Sequence, residues 1–194
     1  MVTEGVNSTT QALCFQLLLV GYLIYGGVYW AHTIAVGLNR PKVFSKEFMA
    51  QFNEQHQEAF GRDAPLGGIP DDGNGYYADK LPYKDWFAFN NVQRAHINLL
   101  EGIGVHITLT FVTAIGNPLW AVISLYLFII GRITYGCGYA KKGPAGRACG
   151  GRIAVLGFLG ALSGSIYTLA TWNWSGEGMP RVIPHSPDSI PGVF

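Results

Sequence analysis

Charged side chains are scarce in this sequence, since Asp, Glu, Lys and Arg together make up only 13% of its 194 residues. Soluble domains carry about 25%. The shortage comes from four long runs with few charges, at about 12–38, 86–115, 118–139 and 152–172. Each run has the roughly 17–25 residues that a membrane-spanning helix needs. We therefore predict an all-α integral membrane protein, with a four-helix bundle in residues 1–174.

Cysteine and metal-binding motifs are also few. The three cysteines form no CxxC pair and no disulfide framework. The sequence contains no HExxH motif. A metal-dependent membrane enzyme that uses His96, His106 and Glu101 is weakly supported, because the two histidines are ten residues apart and lie on different helix faces. The sequence also lacks the spacing of a calcium loop around Asp71 and Asp72. We expect no metal site and no nucleic-acid partner.

Basic residues concentrate in two connections between the apolar runs. One connection holds six of them and the other holds four, namely Arg40, Lys42, Lys46, Arg62, Lys80 and Lys84, then Lys141, Lys142, Arg147 and Arg152. With four crossings, both connections fall on the same side of the membrane. The positive-inside rule places that side in the cytosol or in an organellar matrix. We expect a multi-pass protein of the endoplasmic reticulum or of an organellar membrane such as the mitochondrial one.

The segments outside the apolar runs have their own patterns. Pro41 is expected to stop the first helix, because a helix usually ends before a proline. Lys46 to Phe60 could form one short amphipathic helix on the membrane surface. The rest of the 42–85 loop is dense in turn residues, and a loop this long is usually functional or an assembly element. Residues 175–194 are proline-rich and predict an extended tail.

A polar stripe runs into the second apolar run. Asn90, Arg94, Asn98 and Glu101 follow one another at helical spacings of four, four and three, so they share one helix face. The purely apolar part that follows, 102–115, is shorter than the roughly 20 residues that cross a bilayer. Part of the stripe must therefore lie at membrane depth, where polar groups are costly without a partner.

The third apolar run brings a second polar face to the same depth. Counted outward from the tight turn at Gly116-Asn117, Arg132, Tyr135 and Tyr139 lie level with the stripe of the second run. One reading is structural, with Glu101 and Arg132 neutralising each other and the tyrosines serving as interface aromatics. The other reading is a binding site for an anionic, amide-rich ligand, which explains why so many polar groups share these faces.

Two segments resemble signatures of a known family. FNNVQRAHINLLE, with Arg94, Asn98 and Glu101, resembles the second-helix signature of the MAPEG family, the membrane-associated proteins of eicosanoid and glutathione metabolism. GRITYGCGYAKKGPAGR, with Arg132, Tyr135, Tyr139 and Arg147, resembles its third-helix signature. The resemblance covers about residues 86–152, and both signatures occur in the family's order and spacing.

The resemblance implies a homotrimer that binds glutathione between subunits and uses it as co-substrate. It implies a glutathione S-transferase or glutathione-dependent peroxidase that acts on lipophilic electrophiles or lipid hydroperoxides reached from the membrane lipids. Arg40 resembles the family's catalytic arginine, which stabilises the thiolate. The residues expected to bind glutathione are Arg94, Asn98, Glu101, Tyr135, Tyr139 and Arg147, with Arg132 added by its depth. The alternative is a non-catalytic MAPEG-like structural subunit of a larger membrane complex.

Overall fold

The apolar runs of the sequence form long helices in the computed structural model, which describes residues 8–172. The four long helices are α1 (Ser8–Val43), α4 (Tyr83–Gly116), α5 (Pro118–Lys142) and α6 (Ala148–Thr171). Two short helices, α2 (Lys46–Met49) and α3 (Asn53–Phe60), lie between α1 and α4. The described residues include no β-strand, so the predicted all-helical class is confirmed. The predicted proline-rich tail lies outside the described residues.

The helices extend beyond the apolar runs at most of their ends. Pro41 does not stop α1 as predicted, because the helix continues past it to Val43. The proline lies in the last turn, where it removes only one backbone hydrogen bond, and the Phe44 amide still donates to the Arg40 carbonyl at 2.8 Å. The single surface helix predicted over 46–60 is instead split into α2 and α3 by the 3-10 turn Ala50–Phe52.

Three stretches are long and apolar enough to cross a membrane, namely Ser8–Val43, Tyr83–Gly116 and Pro118–Thr171. The third contains both α5 and α6, which are joined by the 3-10 turn Gly143–Arg147. Many large apolar side chains on these helices point outward, with Leu23 exposed by 77% and Phe111 by 62%. Apolar surface of this extent is stable against lipid rather than water. The protein is an integral membrane protein.

Helices α4 and α5 form the centre of the packing, since α1 and α6 each contact both of them. The closest approach is between α5 and α6, where glycines remove the side chains that would separate the backbones. A Cβ on Gly157 would lie 2.5 Å from the backbone nitrogen of Phe128, and a Cβ on Gly131 or Gly150 would lie closer still to the opposing backbone. Polar bonds add to this packing, because the Thr113 hydroxyl of α4 donates to the Ala161 carbonyl of α6 at 2.8 Å.

Residues 44–82 form an ordered connection between α1 and α4. Its own apolar cluster holds six buried residues, namely Phe44, Met49, Phe52, Ala64, Ala78 and Phe89, the last of which belongs to α4. The buried carboxylate of Asp71 accepts hydrogen bonds from the backbone amides of Gly73, Gly75 and Ala78 at 2.8, 2.9 and 2.7 Å. One side chain thus fixes a turn that has little regular structure of its own.

Replacing Asp71 with alanine should therefore loosen this connection. Three amides lose a charged acceptor, and each such bond is worth about 1.5–3 kcal/mol. We expect the Gly73, Gly75 and Ala78 amides to exchange hydrogen at least about a hundredfold faster, equivalent to about 3 kcal/mol. Asp72→Ala is the matched control, because that exposed carboxylate accepts only one backbone amide bond from residues 8–172, at 3.4 Å. Equal exchange in the two variants would contradict the role of Asp71.

Candidate functional site

The stripe on α4 divides into an inward and an outward part. Asn90 is buried, and its amide donates to the carbonyls of Gly73 and Trp86 at 2.8 and 3.0 Å, so it belongs to the packing of the 44–82 connection. Arg94 and Glu101 are exposed on the outer surface of the helix, and Asn98 between them is half-buried. Three of the four stripe residues therefore remain available to a ligand or to another chain.

The polar residues of α5 meet one another beside this stripe. The rings of Tyr135 and Tyr139 are buried, with their centroids 5.6 Å apart, and they pack with Ala95 of α4. The Arg132 guanidinium lies over the Tyr135 ring, with Cζ 4.9 Å from its centroid. In the 3-10 turn that follows α5, the exposed guanidinium of Arg147 lies over the Tyr139 ring, with Cζ 5.7 Å from its centroid. These residues form a continuous arginine–tyrosine face.

Glu101 and Arg132 form no direct ion pair, although their charges lie close enough to interact electrostatically. Within residues 8–172, Glu101 makes no ion pair and no hydrogen bond, and Nε and Nη2 of Arg132 are buried without a hydrogen-bond partner. A buried donor without a partner costs about 1–3 kcal/mol, and more when it is charged. The internal ion pair expected from a purely structural cluster is thus absent from the described chain. The exposed Glu101 carboxylate is therefore open to an external group, whereas Nε and Nη2 of Arg132 lie inside the bundle.

A groove opens beside the turn between α5 and α6. It has a volume of about 550 Å³ and is lined by Tyr135, Arg147, Gly151, Arg152, Val155 and Leu156, together with Ala148. The volume lies in the range of about 300–1,000 Å³ that small-molecule sites occupy. Two of the predicted site residues, Tyr135 and Arg147, therefore border an open space. In the sequence, Arg152 is identifiable only as a basic residue of a connection between apolar runs, and no motif or spacing distinguishes it.

Arg40 has a different environment from the other predicted site residues. Its Nε donates to the Gly67 carbonyl at 3.1 Å, and its Nη2 donates to the Asp71 carbonyl. Its Cζ lies 5.7 Å from the ring centroids of both Phe44 and Phe89. Through these hydrogen bonds, the Arg40 side chain links the end of α1 to the 44–82 connection. Nothing in the sequence indicated this contact, because the two carbonyls lie 27 and 31 residues away.

The two histidines of α4 lie apart from each other and have different neighbours. His106 is fully buried and stacks on Phe128, with ring centroids 3.7 Å apart, whereas the His96 ring lies 5.6 Å from the Tyr29 ring. No three His, Cys, Asp or Glu side chains within residues 8–172 come close enough to hold a metal ion. The arrangement that the described chain offers is a set of arginines, tyrosines, an amide and a carboxylate, which suits a ligand with several opposite charges.

Comparison with known proteins gives one family. The sequence model of the MAPEG family matches residues 48–167, which includes α4, α5 and most of α6. No solved structure matches the chain. The match spans the polar stripe of α4, the arginine–tyrosine face of α5 and the groove residues of α6.

Proposed function

The chain belongs to the MAPEG family, which includes glutathione transferases and related enzymes, and on this premise we propose that it is a membrane glutathione S-transferase or glutathione-dependent peroxidase. Its substrates would be lipophilic electrophiles or lipid hydroperoxides. Within the family, its two signatures resemble those of microsomal glutathione S-transferase 3. The observation that carries the proposal is the outward-facing stripe of α4, whose charged side chains, Arg94 and Glu101, form no ion pair or hydrogen bond in residues 8–172.

Glutathione fits this set of groups by its chemistry. It has two carboxylates for the arginines, of which Arg94, Arg132 and Arg147 are the proposed donors. Its ammonium group suits Glu101, and its amides suit the side chain of Asn98. The phenols of Tyr135 and Tyr139 add hydrogen-bonding groups beside the cysteinyl part of the tripeptide. Each charge of the ligand thus has a proposed counterpart on α4, on α5 or in the turn that follows α5.

The outward direction of the stripe supports a site shared between copies. Arg94 and Glu101 face away from their own bundle, while Tyr135 and Arg147 border a groove on the surface of α5 and α6. A homotrimer would bring the α4 stripe of one copy against the α5 face of its neighbour. We propose four membrane crossings by α1, α4, α5 and α6, with both basic connections on the cytosolic or matrix side.

The chemistry follows from the thiolate of bound glutathione. In transfer, the sulfur forms a bond to an electrophilic carbon, and the displaced group takes the electron pair and then a proton. In peroxide reduction, the sulfur attacks the terminal oxygen, the alcohol leaves, and a second glutathione converts the sulfenic acid to the disulfide and water. A nearby cation lowers the pKa of a thiol and favours the thiolate. Arg40 is the proposed cation.

Arg40→Ala should reduce turnover more than binding. Loss of a fixed cation beside the reacting sulfur is expected to lower kcat by about 100-fold, with the Kd for glutathione changed far less. The experiment measures kcat together with the pKa of the thiol of bound glutathione. In Arg40→Ala this pKa should rise. Arg40→Lys keeps the charge and should recover much of the rate, whereas Asp71→Ala loosens the same connection and leaves the charge in place. Equal losses of binding and turnover would make Arg40 a binding residue only.

A second function is favoured by one feature, the ordered 44–82 connection. Its internal apolar cluster and the Asp71 turn give it a fixed surface that a larger membrane complex could dock against. The chain would then be a non-catalytic structural subunit. Purified protein, glutathione and an electrophilic test substrate separate the two functions. Turnover supports the enzyme, whereas its absence, with the chain recovered only in a large complex, supports the structural subunit.

A further inference from the structure

Two polar side chains without a hydrogen-bond partner lie near each other inside the bundle. The hydroxyl of Tyr25, on α1, is buried and forms no hydrogen bond with any residue from 8 to 172. Nε and Nη2 of Arg132, on α5, are likewise buried without a partner in that part of the chain. Among the described ionisable groups, Tyr25 is the one that interacts most strongly with the Arg132 charge. Because lipid offers no hydrogen bonds, both groups need a partner from within the protein or a bound molecule.

The ring of Phe128 connects these groups. The Tyr25 ring lies edge-on to it at 5.7 Å, and the Arg132 Cζ lies 5.8 Å from its centroid. His106 of α4 stacks on the same ring at 3.7 Å and meets the Tyr25 ring edge-on at 6.3 Å. There is room beside Phe128, since a Cβ added to Gly102 would meet only the Phe128 Cζ, at 3.9 Å, among the described residues beyond the adjoining backbone of α4. Helices α1, α4 and α5 thus bring the unpartnered groups together beside unfilled space.

The chemistry of this site favours a water molecule. Nε and Nη2 form one edge of the planar guanidinium, and their two N–H groups can share one acceptor. A water oxygen can accept from that edge, and one of its hydrogens can be donated to the Tyr25 oxygen. An anion is disfavoured, because Glu101 already supplies a negative charge that interacts with Arg132. A side chain from outside the bundle cannot reach atoms that are closed to solvent.

We propose that Tyr25 and Arg132 hold a buried water molecule, and that through it Tyr25 positions Arg132 for glutathione. Nη1, the third nitrogen of Arg132, is not among the buried unpartnered atoms, so it is the nitrogen that can reach a ligand beside Glu101. A fixed inner edge fixes the plane of the guanidinium and with it the direction of Nη1. The inference deepens the proposed function and rests on it for the identity of the ligand. Tyr25 is a positioning residue, since it does not touch glutathione.

The test is a double-mutant cycle on the Kd for glutathione, measured by calorimetric titration into the purified full-length protein. Tyr25→Phe removes only the hydroxyl and should raise the Kd by about three- to tenfold, as expected for the loss of one hydrogen bond. Arg132→Lys keeps the charge but lacks the two-nitrogen edge. Tyr25→Phe added to Arg132→Lys should change the Kd by less than about twofold, because the two residues act through one contact.

Tyr22→Phe is the matched control for Tyr25→Phe. Tyr22 lies one turn earlier on α1 and is half-buried, and its hydroxyl shares a 2.8 Å hydrogen bond with the Thr110 hydroxyl of α4. Loss of that bond should lower the melting temperature, while the Kd for glutathione stays within about twofold of that of the unaltered protein. A Tyr25→Phe protein that behaves in the same way would show that Tyr25 has only a structural role.

A density map of the unaltered protein that resolves ordered water gives a check that needs no variant. It should show density within hydrogen-bonding distance of both Tyr25 Oη and Arg132 Nε.

Three results would overturn the inference: an unchanged Kd in Tyr25→Phe, an equal effect of Tyr25→Phe in the unaltered and Arg132→Lys proteins, or a map in which both groups bond directly to other protein atoms. Failure here is distinct from failure of the proposed function. A protein that binds glutathione equally well with and without the Tyr25 hydroxyl keeps the function and loses the inference. A protein that binds no glutathione loses the function and the positioning role, and the map then decides the water site.

Discussion

Replacing Arg94 with alanine is expected to weaken glutathione binding by about 10- to 100-fold. Arg94 is exposed on α4, and its side chain makes no ion pair or hydrogen bond within residues 8–172. Its guanidinium is therefore free to bind a carboxylate of the ligand with two charge-assisted hydrogen bonds. Hydrogen bonds to charged groups are worth about 1.5–3 kcal/mol, and about 1.4 kcal/mol corresponds to a tenfold change in Kd.

The measurement is calorimetric titration of glutathione into the purified protein. Lys84→Ala is the matched control, because Lys84 is an exposed cation in the first turn of the same helix, ten residues before Arg94. The Kd of the Lys84→Ala protein for glutathione should remain within about twofold of that of the unaltered protein, since an exposed ion pair is worth about 0–1 kcal/mol. An unchanged Kd in Arg94→Ala would remove Arg94 from the glutathione site.

The second large effect concerns the packing of α5 on α6. Gly150→Ala should destabilise the protein, because the added Cβ would lie 2.6 Å from the Gly131 oxygen and from the Cα of Tyr135, and nearer still to the Tyr135 nitrogen. Backbone atoms cannot move aside as a flexible side chain can. Overpacking of this kind costs about 1–3 kcal/mol, which corresponds to a fall of roughly 2–12 °C in the melting temperature for a protein of this size.

Gly151→Ala provides the matched control for Gly150→Ala. The two glycines are adjacent in α6, but a Cβ on Gly151 would lie 3.7 Å from the Tyr135 ring, which is an ordinary contact. Since alanine favours a helix over glycine by about 1 kcal/mol, this variant should be neutral or slightly stabilised. Thermal unfolding in detergent would compare the two. A Gly150→Ala protein as stable as Gly151→Ala would contradict the close backbone packing.

The helices were predictable because their signal is local. Long runs with few charges are enough to predict a helix across a membrane, and α1, α4, α5 and α6 each contain one of the four runs. Pro41 gave a wrong end for α1, because the rule that proline stops a helix does not hold in a last turn that loses one hydrogen bond. The split of the predicted 46–60 helix into α2 and α3 was not predictable either, because no hydrophobic period in the sequence marks the 3-10 turn between them.

The 44–82 connection and the inner part of the site were not predictable, because they depend on contacts between distant residues. The sequence argues against a calcium loop at Asp71 and favours a plain turn, but it does not show that the Asp71 carboxylate accepts hydrogen bonds from three backbone amides of that turn. Helical spacing placed Asn90 and Arg94 on one face, but only the packing of the connection against α4 separates the buried one from the exposed one. The sequence could not place Arg152 with Tyr135 and Arg147, because the groove that all three line forms only where α6 packs against α5.

A structure of the purified protein determined in a lipid bilayer with glutathione would show whether the polar stripe of α4 binds glutathione. We predict three copies around one axis, with glutathione between Arg94, Asn98 and Glu101 of one copy and the Tyr135–Arg147 face of its neighbour. The contradicting result is a structure in which these side chains are paired within the protein or covered by lipid, and no glutathione lies beside them.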